Sequence, residues 1–202
     1  MPVAAVAALL LFAAPFDPAS PYTLPTPPPD AAAQLAEMTA LYDDICLKAF
    51  PNDAAVARAM AARGRAATAM TSADVRRYLH EDPGVGWFIT GRSGTFELTV
   101  EAPPFHACGV RTLTAAGFPD LSSYRRLADA FESGHDVRKV GPQTFTRDNV
   151  DTTGGGESWH RIDNRDEALL VLMAQPVAAI RVPGRDGVEA RFVHQIVEPS
   201  AH

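Results

Sequence analysis

Only two cysteines, Cys46 and Cys108, occur in the 202 residues, with no C-x-x-C pair and no closely spaced pair of histidines. That scarcity argues against a zinc site, which gathers thiolate or imidazole ligands at short spacing. Positive charge is also short. The 18 Lys and Arg stand against 24 Asp and Glu, a net charge of −6, so the basic footprint of a nucleic-acid binder is missing. No apolar run reaches the roughly 20 residues that a membrane-spanning helix needs. The triple glycine at 154–156 follows no G-x-G-x-x-G strand turn and precedes no Lys-Ser or Lys-Thr, so it does not read as a phosphate cradle.

What is present begins with the apolar run "PVAAVAALLLFAA", which has the length of the hydrophobic core of an export signal. It lacks the usual Lys or Arg before it, and one explanation is a start codon upstream of Met1. Residues 1–14 therefore read as a signal peptide. Residues 15–30 form a Pro-rich, extended linker, and 31–198 a single domain. An apolar share of 47% gives that domain enough side chains for a core of its own.

Asp30 is placed to cap a helix over 31–50 in which Leu35, Met38, Leu41, Tyr42, Ile45, Cys46 and Ala49 share a face, before Pro51 stops it. A second helix follows over about 54–63, and a third, capped by Thr71 or Ser72, runs to His80. "GWFIT" and "TFELTVEA" around "GRSG" form a hairpin. "HACGVRTLT" is a third strand, with Cys108, Val110 and Thr112 on its buried face and Ala107, Gly109 and Arg111 opposite. "DLSSYRRLADAFES" is an amphipathic helix presenting Leu121, Tyr124, Leu127, Ala128 and Phe131. Further strands are expected near 137–146, 157–162, 168–174 and 188–197, with "TTGGG" and "PGRDG" as loops between them. The fold class is α+β: N-terminal helices packed on a mostly antiparallel sheet, with one further helix.

Cys46 on an apolar helix face beside Asp43 and Asp44 is a poor nucleophile, because nearby carboxylates oppose thiolate formation. Two cysteines in an exported chain are most economically a disulfide, worth about 4 kcal/mol for a loop of this length; two free buried thiols are the alternative. Of the scattered histidines His80, His106, His135, His160, His194 and His202, His106 shares a strand face with Cys108 and reads as surface imidazole. "GRSGT" departs from the nucleophile elbow at Thr95 and sits in a hairpin. "GGGESWHRID" brings Ser158, His160 and Asp163 close in sequence, with the Gly154–Gly156 run read as a mobile loop. Arg58, Arg63, Arg65, Arg76 and Arg77 make one region basic and read as a solvated helix face, with a docking face for an anionic partner as the sharper reading. Trp87 and Trp159 read as core anchors, with a ligand cleft as the alternative.

The blocks "CLKAFPND", "YLHEDPGVGWFI" and "PPFHACGVRTL" together resemble those of small uncharacterised exported bacterial proteins. The resemblance covers roughly residues 40–115. It implies an exported single domain in which both cysteines belong to the shared pattern, and it implies no activity, cofactor or catalytic residue.

The expectation is thus a periplasmic, non-enzymatic binding or envelope-associated module, without cofactor or metal ligands, whose partner is a protein or the cell envelope. The alternative is a small hydrolase or transferase with its site near Ser158, His160 and the Gly154–Gly156 run. An antagonist of another exported protein is a third reading.

Overall fold

The structure, a computed structural model, describes residues 21–25 and 29–197. The expected signal peptide over 1–14, linker residues 15–20 and 26–28, and residue 198 lie outside the described residues.

Helix α1 (Ala31–Leu41) starts where Asp30 accepts a hydrogen bond from the Ala33 amide. That carboxylate satisfies one of the amides left unpaired at a helix start. The helix then widens into a π turn, Tyr42–Leu47, in which the Lys48 amide reaches Asp43 and the Phe50 amide reaches Ile45. Pro51 follows and cannot donate to a further turn. Helices α2 (Asp53–Ala62) and α3 (Ser72–Tyr78) are capped by Asn52 and Thr71, the latter in a reciprocal box with Asp74.

The strands are β1 (Ala67–Ala69), β2 (Gly84–Thr90), β3 (Thr95–Glu101), β4 (Phe105–Thr114), β5 (Arg138–Arg147), β6 (Val150–His160), β7 (Asp166–Pro176) and β8 (Val188–Val197). Between β4 and β5 lies α4 (Ser122–Phe131). All pairings are antiparallel, in the order β1-β2-β3-β4-β8-β7-β6-β5. The chain lays down one half of the sheet, crosses on α4 to the far edge, and returns strand by strand until β8 pairs with β4. The α+β expectation holds.

The core lies on the face covered by α1, the π turn and α4. Phe192 sits at its centre, with ring centroids 5.7 Å from Tyr42 and 4.3 Å from Tyr124. Cys46 and Cys108 form a disulfide with Cα atoms 5.3 Å apart, tying the π turn to β4. Cys108, Val110 and Thr112 are fully buried as the alternation predicts. The opposite face of β4 is also covered, which the sequence reading did not anticipate. Arg111 is only 3% exposed there, with its guanidinium over the Tyr78 ring, and burial raises the neighbouring Glu97 to about 7 despite the pull of Arg111.

"TTGGG" is not a loop. Gly154–Gly156 lie inside β6, paired with β5 on one side and β7 on the other. The turn lies earlier, at Asp148 and Asn149, whose φ values of 49° and 62° suit the mirror-image turn that matches strand twist. The glycines are there for close approach: a Cβ on Gly156 would stand 2.0 Å from the Leu169 carbonyl oxygen.

Candidate functional site

α4 is amphipathic, and its buried side carries Tyr124 and Ala128 while Arg125 and Asp129 face outward. Between this helix and β5–β7 runs a groove of about 570 Å³. Leu121, Tyr124 and Ala128 form one wall, Leu169, Val171 and Met173 the floor, and Lys139 to Pro142 with Glu157 the rim. Two backbone features keep it open. The β5–β6 register shifts between Val140 and Gln143, at Gly141-Pro142, where the proline has no amide to donate. Gly155, in register with Val171 and through it with Phe192, lies on the α4 face and places no side chain in the groove.

Around α4 the buried Ser123 Oγ, Glu132 Oε1 and Trp159 Nε1 have no hydrogen-bond partner among the described residues, while the Tyr42 and Tyr124 hydroxyls have each other. Each unpartnered atom carries a desolvation cost, and native structures hold few such atoms. Burial, more than any neighbouring charge, pushes the Tyr42 and Tyr124 phenols up, so both stay neutral. Burial also raises Glu132 to about 8, and the neighbouring Glu157 carboxylate adds to the effect. Glu157 itself meets Lys139 at 3.2 Å.

Behind the groove lies a buried relay that sequence reasoning missed. His194 is 1% exposed; its Nδ1 is 2.7 Å from the Cys46 carbonyl oxygen and its Nε2 is 2.5 Å from Glu167 Oε1. Arg161 donates to the other Glu167 oxygen at 2.5 Å. Burial works against the Glu167 charge, but the bonds from His194 and Arg161 outweigh it and hold the carboxyl below its ordinary range. The only sequence signal was the alternation in "RFVHQIV", which puts His194 on the same face as Phe192 and Ile196.

The hydrolase constellation is not assembled. Ser158 and His160 do share a face of β6, but it is the face opposite Gly155, turned away from the groove. The His160 nitrogens are taken by Asp166 and Asn164 at 3.0 and 3.2 Å, and the Ser158 hydroxyl makes no hydrogen bond among the described residues. Asp163 pairs with Arg161 and Arg165. His106 is buried, not superficial. Its ring packs 4.5 Å from Phe50 and its Nε2 meets Asp53 at 2.9 Å, because the strand face it shares with Cys108 is a core face.

Trp159 is a core anchor, stacked on His135 and packed against Phe131. Trp87 is half-buried beside a smaller cleft that also includes Met70 and Val75. The arginines of 54–80 are dispersed: Arg63 pairs with Asp44, Arg76 with Glu81, and Arg77 lies over Tyr78. A larger cleft runs beside α1, lined by the acidic groups Asp30, Glu37 and Glu97; Glu37 is engaged by the amides of Arg92 and Ser93 and by the Ser93 hydroxyl, and Asp30 caps α1.

No known protein family matches the chain, and comparison with curated proteins gives no significant match.

Proposed function

We propose that the chain is an exported, non-enzymatic binding module that takes a small, largely apolar molecule in the groove under α4. The observation that carries this reading is the coincidence in one place of an open apolar groove and an undonated hydroxyl. Leu121, Leu169, Val171 and Met173 supply contact area, and the paired Tyr42 and Tyr124 hydroxyls, which leave one O–H undonated, stand beside them to orient a polar group on the ligand. The export half of the proposal draws on the disulfide, which persists in oxidising compartments, and on the apolar run at the start of the chain.

The test is native mass spectrometry on the full chain recovered from its host. A small-molecule adduct that is lost on denaturation and absent from Met173→Glu supports the reading. An unliganded mass for both proteins overturns it. Sequencing the N-terminus of the same material tests export: removal of 13 residues or a few more supports it, and an intact N-terminus on cytosolic protein sinks it.

A further inference from the structure

Among the described residues, nothing pairs with the outer edge of β5. The opposite end of the sheet closes on β1, a strand of three residues, whereas β5 has ten. Residues 141–149 are exposed without a break. An open edge of this kind presents amides and carbonyls ready to pair with another strand. Phe145 projects from the middle of the stretch and is 57% exposed. The strand is already held in shape by its inner neighbour: the Thr144 and Thr153 hydroxyls are 2.8 Å apart, and the Thr146 hydroxyl donates to Asp151 at 2.6 Å.

The turn decides which backbone groups face outward. Asp148 and Asn149 make a two-residue hairpin, so the flanking Arg147 and Val150 form a hydrogen-bonded pair, and by alternation so do Phe145 and Thr152. The amides and carbonyls of Thr144 and Thr146 therefore point to the open edge. Both ends of the free run are blocked. Pro142, in the register shift, has no amide to offer, and Asp148, with φ of 49°, has left the extended conformation. Only 143–147 can pair.

We propose that this run pairs antiparallel with the same run of a second copy, about a twofold axis at Phe145, joining the two sheets edge to edge. In that register Thr144 meets Thr146 of the second copy on both sides of the axis, and every outward amide and carbonyl of the run is satisfied. The two Phe145 rings stand directly opposite on one face, as an aromatic cross-strand pair. Arg147 falls opposite Gln143 and has its own Asp148 carboxylate at 3.3 Å, so no like charges meet. The neighbouring registers fail. An axis at Thr144 sets Thr146 against Pro142, and an axis at Thr146 sets Thr144 against the turn residue Asp148. The run is thus complementary to itself in one register, which is what a twofold interface requires. Residues 143–147 do not line the groove under α4, so the pairing is independent of the groove's ligand.

The experiment is sedimentation velocity on the protein recovered from its host, from about 1 μM to about 1 mM. The expected result is a mass that rises from one chain to two and no further, because each copy has one such edge and the pairing closes on itself. Thr146→Pro removes an outward amide while leaving the bonds to β6 in place. Phe145→Glu sets two like charges opposite each other. Each is expected to raise the dissociation constant about tenfold or more, with circular dichroism checking that both variants fold. In a second measurement, Phe145→Cys supplies the one thiol outside the Cys46–Cys108 bond. Its dimer is expected to cross-link on mild oxidation about tenfold faster than that of Ile162→Cys, an equally open position in the β6–β7 turn. A wild type that stays monomeric throughout overturns the proposal, as do equal dimerisation by wild type and both variants or equal cross-linking at 145 and 162.

Discussion

His194 Nδ1 stands 2.7 Å from the carbonyl oxygen of Cys46, so the last strand is bonded to the turn that carries the disulfide. Because Nε2 simultaneously faces Glu167, both ring nitrogens look at acceptors. The ring is thus held from both sides, between a backbone carbonyl and the Glu167 carboxylate, with Arg161 closing the network on the other carboxylate oxygen.

Breaking that network on one side is costly. His194→Leu is expected to destabilise the fold by about 3 kcal/mol or more, since Glu167 loses a partner inside the core. The double change His194→Leu/Glu167→Leu costs less than the sum of the single changes, and a denaturant double-mutant cycle measures the difference.

The same network sets the acid limb. Glu167 is held below its ordinary value of 4.5 because bonds from His194 and Arg161 overcome the cost of its burial. A lowered carboxyl contributes stability that is complete above the unfolded value and lost as pH falls through the folded one. Glu167→Gln is therefore expected to flatten stability against pH below about 4.5, as read by urea melts.

Glu132 acts in the opposite sense. Burial and Glu157 raise it from 4.5 to about 8. Its contribution is complete below 4.5 and lost as pH rises through about 8, because the folded state holds the extra proton. Thermal melts of the wild type are expected to drop between pH 5 and pH 8.5, and those of Glu132→Gln to drop less.

Removing the disulfide by Cys46→Ser/Cys108→Ser is expected to cost about 4 kcal/mol, the value for constraining an unfolded loop of some sixty residues. Gly156→Val tests the glycine run. A Cβ at that position meets the Leu169 backbone, so β6 is expected to separate from β7 at a cost of about 2 kcal/mol or more.

Much of this architecture was legible in the sequence, because it rests on local rules. Asp30 and Thr71 announced their helices through capping chemistry, and β4 announced its buried face by the alternation of Cys108, Val110 and Thr112. The glycine run misled because its reason for being there is non-local: Gly156 has no side chain only because the β7 backbone passes so close. Arg111 misled in the same way, since nothing in its own strand reveals that Tyr78 covers it. The groove draws on α4, β5, β6 and β7 at once. No single-strand pattern contains that assembly.

The central claim is that the groove under α4 binds an apolar molecule, and titration of the full chain with the uncharged dye Nile red tests it most directly. The account predicts saturable binding of one dye per chain with a blue-shifted emission, abolished in Leu121→Glu and Met173→Glu but retained when the distant surface residue Arg58 is changed to Glu. Emission that does not saturate, or that is the same in wild type and the two groove variants, would contradict it.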